Sequence, residues 1–208
     1  MTTTLHLIRH GETNWNAEGR IQGQMESVLT DLGQQQASGL REKLRHYQFD
    51  QLFCSSSKRA QQTAELAFGD RRQTITTADA LREIYLADWE GHLYADIEVR
   101  DPEGIHAFRH QPHLFAAAGA ETFHQLQARA LTAVATILDQ CSGLEVAVVS
   151  HGAWIKSVLS HYEGRPIERF WEPPRMHNCC HSIIELGDDG TSRIVRYADL
   201  DTDTRTGT

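Results

Sequence analysis

Residues 5–13 read LHLIRHGET, a short apolar run followed at once by Arg9, His10 and Gly11. The run from Leu5 to Ile8 has the length and composition of a buried β-strand. Gly11 allows a sharp turn or a close approach of the backbone directly after it. Because a buried arginine needs an anionic partner, the adjacent Arg and His predict a site for an anion at the end of this strand.

Along the rest of the chain, predicted strands alternate with predicted helices. Further strands are predicted at Phe49–Cys54, Gln73–Thr77 and Glu145–Val149, and a hairpin at Ser182–Leu186 with Arg193–Tyr197. Helices are predicted after Thr30, after Ser57 and over Glu121–Gln140, while residues 11–29 resemble a long loop. The first helix has its apolar face at Gly33, Ala37, Leu40, Leu44 and Tyr47. This alternation predicts an α/β fold, a three-layer α/β/α sandwich with a mostly parallel central sheet.

The chain is predicted to form a single domain over residues 1–198, followed by a flexible polar tail at 199–208. Residues 84–120, rich in Pro and Gly, form its least regular part, with two short helical stretches expected between the breakers. This segment also contains His106, His110 and His113, which a helix would bring to one face. We interpret these three as surface or lid residues rather than metal ligands.

The composition and charge of the chain argue against several classes of function. The 208 residues carry 20 Lys and Arg against 28 Asp and Glu, a net charge of −8 that disfavours nucleic-acid binding through the general field. The 12 histidines are the one oddity. The four cysteines lack metal-site spacing, and Cys179 and Cys180 are predicted to be buried thiols on or beside a strand. No apolar run could span a membrane and no signal peptide is visible, so we expect a cytoplasmic protein.

Three polar clusters follow predicted strands. They are Arg9-His10-Gly11, Ser55 to Arg59, and Ser150-His151-Gly152. In parallel sheets, ligands bind beyond the carboxyl ends of the strands, so the three clusters are expected to converge. Arginine forks and helix N-termini, the latter at Ser55–Ser57 and at His151-Gly152, both suit phosphate oxygens. The set therefore predicts a site for a phosphate dianion.

These motifs resemble those of the histidine phosphatase superfamily, the phosphoglycerate mutase-like enzymes, from Leu7 to about Glu185. The motifs occur in the order RHGET at 9–13 with Asn16, RIQG at 20–23, LTDLG at 29–33, SSSKRAQQTA at 55–64, LRE at 81–83 with WEG at 89–91, and VVSHG at 148–152. Six blocks in this order are far more specific than any one of them.

The resemblance implies a role for each residue of the site. His10 is expected to be the nucleophile that becomes a phosphohistidine, and Glu83 the general acid for the leaving alcohol and then the base for water. Arg9, Arg59 and His151 would bind the phosphoryl oxygens. The remaining phosphate contacts would come from Asn16, Gln22 and Gly152. The resemblance implies neither a metal nor another cofactor.

The resemblance also implies that residues 84–120 cap the pocket and help to select the substrate. Leaving-group contacts are expected from Gly23, Tyr94, Arg109 and His110. Two positions depart from the family pattern. Ala87 stands where many relatives have Gly, in the loop that follows Glu83, and Glu26 replaces a common Asp.

The predicted activity is a phosphomonoester phosphatase acting on a small phosphorylated metabolite, with neither a nucleic-acid nor a membrane partner. The segment Ile84–Trp89 resembles the small phosphatases rather than the mutases, in which the acid is followed by a longer insertion. A cofactor-dependent phosphoglycerate mutase stays the alternative, and a catalytically dead phosphate-binding module the third hypothesis. The substrate and the oligomeric state are left open.

Overall fold

A seven-stranded mixed sheet forms the centre of the protein, whose computed structural model describes residues 1–69, 71 and 74–202. The strands are β1 Thr2–Arg9, β2 Gln51–Ser55, β3 Ile75–Ala78, β4 Glu145–Ser150, β5 His181–Gly187, β6 Ser192–Tyr197 and β7 Leu200–Asp201. Their order is β3-β2-β4-β1-β5-β6-β7. The four strands β1 to β4 pair in parallel, and β5, β6 and β7 extend the sheet antiparallel to their neighbours.

Helices cover both faces of this sheet, which confirms the three-layer α/β/α prediction. They are α1 Asn14–Glu18, α2 Asp31–Lys43, α3 Lys58–Phe68, α4 Tyr94–Arg100, α5 Pro102–His110, α6 Phe123–Gln140 and α7 Gly152–Tyr162. Alternate side chains of a strand point to opposite faces. Accordingly Leu5 and Leu7 of β1 belong to the core beneath α6 and α7, whereas Ile8 packs with α2 and α3.

Several boundaries differ from the sequence predictions. Residues 11–29 contain α1, whose N-cap Thr13 forms a capping box with Asn16. Helix α2 ends at Lys43 instead of continuing to Tyr47, and Arg71 donates to the carbonyl oxygens of Leu44 and Tyr47 beyond its end. Strand β3 covers Ile75–Ala78, and Gln73 of the predicted strand lies outside the described residues.

The predicted tail also differs over its described part. Leu200–Asp201 pairs with β6, and the backbone N–H of Asp199 donates to His181. These hydrogen bonds attach residues 199–201 to the sheet where a frayed segment was expected. Residues 203–208 of that prediction lie outside the described residues.

The expected short helices of residues 84–120 are α4 and α5. Tyr94, Phe108 and Arg109 of these helices line one wall of a cavity. Among the described residues, no helix has both the length and the hydropathy needed to cross a membrane.

Candidate active site

The carboxyl ends of three neighbouring strands meet at one edge of the sheet. Arg9 at the end of β1 is in register with Ser150 at the end of β4, and the backbone N–H of His10 donates to the Ser150 carbonyl at 3.1 Å. Strand β2 ends at Ser55 on the other side of β4. A cavity of about 520 Å³ opens above this edge. The three sequence clusters therefore converge as predicted.

His10 lies at the floor of the cavity and is 2% exposed. Its Nδ1 is 2.7 Å from the carbonyl oxygen of Gly11. A carbonyl can only accept, so Nδ1 carries the proton and Nε2 keeps its lone pair. Burial, followed by the charges of Arg59 and Arg9, holds the pKa of His10 well below its ordinary value. The ring is therefore neutral, which is the form a nucleophile requires.

His151 precedes α7 and lies beside His10, with 5.2 Å between the ring centroids. Its Nε2 is 2.8 Å from the Ser55 hydroxyl and 3.0 Å from that of Ser57. Burial and the charge of Arg59 keep its pKa well below the usual range. Its Nδ1 is buried and has no hydrogen-bond partner in the described part of the chain. This nitrogen is free to contact a bound oxygen.

Arg59, near the start of α3, is 1% exposed. Its Nη1 donates to the Met25 carbonyl at 2.8 Å and its Nη2 to the Gly23 carbonyl at 2.7 Å. Burial lowers the pKa of Arg59 to about 10. Arg9 is held from the other side by the carbonyl of Met176.

The Nε atoms of both arginines are buried and lack a hydrogen-bond partner among the described residues. Buried unsatisfied donors are costly, and the cost falls when an anion accepts from them. This pair of donors is the strongest structural indication of an anion site.

Two side-chain amides also line the cavity. The Asn16 Oδ1 accepts from the backbone N–H of Thr13 at 3.2 Å, and the Gln22 Oε1 accepts from the hydroxyls of Thr13 at 2.9 Å and Ser27 at 2.6 Å. An amide whose oxygen is held in this way offers its NH₂ group to a ligand. Both residues are thus suited to donate to phosphate oxygens.

Two of the predicted residues, Gly152 and Glu83, lie at the N-terminus of α7. Gly152 lines the cavity, and a Cβ atom there would lie 3.4 Å from the Arg9 Nε. Glu83 accepts from the N–H groups of Ala153 at 3.1 Å, of Trp154 at 3.1 Å and of Ile84 at 2.9 Å. These hydrogen bonds fix the carboxylate at the cavity wall.

The predicted leaving-group residues do not all line the cavity. Tyr94, Arg109 and Gly23 line the cavity, with the Arg109 guanidinium 5.4 Å from the centre of the Tyr94 ring. His110 is exposed and is not among the residues that line the cavity, so the structure does not bring it to the predicted leaving-group site. Consecutive residues of a helix point about 100° apart, and His110 instead faces His106 at a centroid distance of 5.0 Å.

The sequence analysis missed several lining residues. The aromatic rings of Trp15, Phe108 and Trp171 and the cations Lys156 and Arg175 belong to the cavity wall. Only Lys156 had a readable signal, because it lies one helical turn after Gly152. Its ammonium donates to the carbonyls of Glu172 and Pro174, and burial lowers its pKa to about 8.

The two departures from the family pattern are accommodated locally. Ala87 adopts φ of +47°, the left-handed conformation that Gly favours, so the turn that follows Glu83 is retained. Glu26 accepts from the backbone N–H of Lys58 at 2.7 Å and pairs with Arg82 at 3.0 Å. Both positions support the segments around the anion site without contacting it.

The remaining histidine and cysteine side chains of the described residues do not line the cavity, although the backbone of Cys179 and Cys180 is hydrogen-bonded to His10 and Arg9. Within the described residues, no group of three or more His, Cys, Asp and Glu side chains is arranged to hold a metal ion. All four cysteines are reduced and buried, as predicted for Cys179 and Cys180. Burial raises the pKa of both neighbouring thiols to about 12.

Comparison with known proteins agrees with this geometry. A sequence model of the histidine phosphatase superfamily (branch 1) matches residues 5–200. Phosphoglycerate mutase-like protein 4 of Arabidopsis thaliana is 32% identical, over 93% of this chain and 84% of its own length. The adenosylcobalamin/alpha-ribazole phosphatase of Escherichia coli (strain K12) is 30% identical, over 88% and 89%. Among solved structures, Bacillus stearothermophilus YhfR superposes with a TM-score of 0.92 at 39% identity, covering 96% of this chain and 98% of that one.

Proposed function

Because the chain belongs to the histidine phosphatase superfamily, branch 1, we propose that it hydrolyses a small phosphomonoester through a phosphohistidine on His10. One observation carries the proposal: the Gly11 carbonyl holds the proton of His10 on Nδ1 and leaves Nε2 as a neutral nucleophile beside two buried arginines. The named phosphatase among its relatives supports the same class of reaction.

In the first step the Nε2 lone pair of His10 forms a bond to phosphorus while the bond from phosphorus to the ester oxygen breaks. Glu83 gives its proton to that oxygen, so the alcohol leaves neutral. Arg9 and Arg59 stabilise the charge on the phosphoryl oxygens, which is the main source of catalysis in phosphoryl transfer. His151 assists through Nδ1, and the amides of Asn16 and Gln22 add neutral donors.

In the second step water attacks the phosphohistidine. The Glu83 carboxylate takes a proton from the water, the bond between nitrogen and phosphorus breaks, and inorganic phosphate leaves. His10 and protonated Glu83 are regenerated for the next cycle, so the two steps balance. The low pKa of His10 keeps its ring neutral before each attack.

The leaving group would occupy the outer cavity. Its wall combines the aromatic rings of Trp15, Tyr94, Phe108 and Trp171 with the cations Arg109 and Arg175. A small metabolite with apolar surface and at most a few polar groups fits this lining. A screen of phosphorylated metabolites ranked by kcat/KM would identify it. Such a substrate and four reduced cysteines suit a cytoplasmic enzyme, which cell fractionation would test.

A mutase is the second candidate, because one relative carries the name phosphoglycerate mutase-like protein. A mutase returns the phosphoryl group from His10 to a second hydroxyl, whereas a phosphatase passes it to water. The decisive measurement is phosphate release from p-nitrophenyl phosphate without 2,3-bisphosphoglycerate. We expect steady release. Isomerisation of 3-phosphoglycerate faster than phosphate release would reject the phosphatase, and a wild-type protein with neither activity would support a dead binding module.

A further inference from the structure

Arg129 of α6 contacts the segment that leads to Glu83, although Arg129 does not itself line the cavity. Its Nη1 donates to the carbonyls of Ala80 and Arg82, both at 2.9 Å, and its Nη2 donates to the carbonyl of Glu83 at 3.1 Å. One guanidinium thus holds three carbonyl groups of the segment that ends in the proposed acid.

The orientation of this guanidinium is itself fixed by Glu121. The Arg129 Nε lies 2.9 Å from Glu121 Oε1 and its Nη2 2.8 Å from Oε2, a bidentate pair. Only 24% of the Arg129 side chain and 13% of the Glu121 side chain are exposed, so solvent screens the pair little. Glu121 also accepts from the backbone N–H of Tyr85 at 3.2 Å and donates its own N–H to the Tyr85 carbonyl at 2.8 Å.

The segment needs such support because of its backbone. Residues 82–86 lie between the short turns Asp79–Leu81 and Ala87–Trp89 and belong to neither a helix nor a strand. The carbonyls of Tyr85 and Leu86 accept from backbone N–H groups, whereas those of Arg82 and Glu83 depend on side-chain donors. Gln24 gives one further donor, to the Glu83 carbonyl at 3.0 Å.

We propose that Arg129, oriented by Glu121, is a positioning residue that fixes the Glu83 carboxylate for proton transfer to the leaving oxygen. The inference rests on the proposed function of Glu83. A rigid scaffold matters here because acid catalysis needs the carboxyl group within hydrogen-bond reach of the ester oxygen. The planar five-donor fork of arginine can hold three carbonyls and a carboxylate at once, and lysine cannot.

The test compares kcat/KM for phenyl phosphate and p-nitrophenyl phosphate, two substrates of similar shape. Phenolate is the poorer leaving group and needs the acid more. Because kcat/KM reports the steps up to formation of the phosphohistidine, it isolates the step in which Glu83 protonates the leaving oxygen. In Arg129→Gln we expect a loss of about 10- to 100-fold on phenyl phosphate and under about 3-fold on p-nitrophenyl phosphate.

Three companion variants make the result interpretable. Glu83→Gln should also lower kcat/KM more on phenyl phosphate than on p-nitrophenyl phosphate, and by a larger factor than Arg129→Gln does. The double variant should lose little more kcat/KM than Glu83→Gln alone. Arg129→Lys should recover part of the activity on phenyl phosphate, and it serves as the second probe if Arg129→Gln folds poorly. Arg100→Gln is the matched control, since Arg100 donates to the Asp88 carbonyl at 2.8 Å in the same region but away from Glu83, and should leave both substrates unchanged.

The outcomes separate the two proposals. Equal loss on both substrates in Arg129→Gln and Arg129→Lys, or no loss, would overturn the positioning role while a selective loss in Glu83→Gln leaves the acid role intact. Equal loss on both substrates in Glu83→Gln would overturn the acid role, and the positioning role with it. Full additivity of the two substitutions would also contradict the positioning role, because a residue acting through Glu83 has no effect once Glu83 cannot donate.

Discussion

The His10 ring and the Gly11 carbonyl form a hydrogen bond of 2.7 Å between adjacent residues, at the point where β1 leaves the sheet. The bond selects the tautomer in which Nε2 is free. A nucleophile and the group that orients it are thus encoded within two residues, and the remaining parts of the site are brought to them by the fold.

We predict that His10 is the phosphorylated residue. His10→Ala should lower turnover on the order of 10⁴-fold or more while the unfolding transition stays cooperative, because the other phosphate contacts do not replace a nucleophile. Brief incubation of the wild type with labelled substrate, followed by quenching in base, should trap phosphate that acid then releases. Undiminished hydrolysis by His10→Ala would falsify the phosphohistidine mechanism.

Arg59→Lys should lower kcat/KM nearly as much as Arg59→Met. Two N–H groups of Arg59 are already committed to the carbonyls of Gly23 and Met25, and the fork still has donors for phosphate. An ammonium group cannot serve both. We expect kcat/KM to fall about 10²- to 10³-fold in both variants. Weaker competitive inhibition by vanadate would show that the loss is in oxyanion binding. A Lys variant within about 3-fold of the wild type would contradict this account.

Two glycines of α2 should respond oppositely to alanine. A Cβ on Gly33 would lie 2.0 Å from the Glu12 carbonyl oxygen, whereas nothing lies within 4 Å of a Cβ on Gly39. Gly33→Ala should lower the free energy of unfolding by about 1–3 kcal/mol through overpacking against the loop that follows β1. Gly39→Ala, the matched control, should raise it by up to about 1 kcal/mol through helix propensity. Urea unfolding measures both, and equal shifts would refute the packing argument.

Acid should destabilise the fold through a buried histidine pair. His6 Nδ1 lies 2.8 Å from His181 Nε2, and the opposite nitrogen of His6 lies 2.9 Å from Glu145. Burial, with the charge of Arg196, lowers the pKa of His6 to about 4; burial and the charge of His6 lower that of His181 to about 2.

The direction of this pH dependence is set by the number of protons that the folded and unfolded states bind. Between about pH 6.5 and pH 4 the unfolded chain binds protons that the folded pair does not, so the free energy of unfolding falls as pH falls. Each histidine contributes on the order of 2 kcal/mol between pH 7.5 and pH 5. His6→Asn should remove about that much of the pH dependence in urea unfolding, whereas His124→Asn, at an exposed position, should not. An unchanged pH dependence in His6→Asn would disprove the role of the pair.

Local patterns were sufficient for much of the fold. The apolar run of β1, the α6 helix and the hairpin of β5 and β6 were predictable because each is set by periodicity and turn residues within a few positions. The short helix α1 was not, because its five residues have no buried side chain and depend on the capping box at Thr13. Strand β7 was missed because only pairing with β6 defines two residues as a strand.

The candidate site, like the fold, was predictable in part from local sequence and depended in part on tertiary structure. The sequence by itself predicted Arg9, His10, Arg59 and His151 as site residues, since each matches a family motif and stands at the end of a strand or the start of a helix. Only tertiary structure decided the contacts that these side chains make, that His110 is exposed and outside the cavity lining, and that Arg129 binds the Glu83 carbonyl from 46 residues away. The physical reason is that strand order and helix packing join distant segments, and these depend on the whole core rather than on any one stretch.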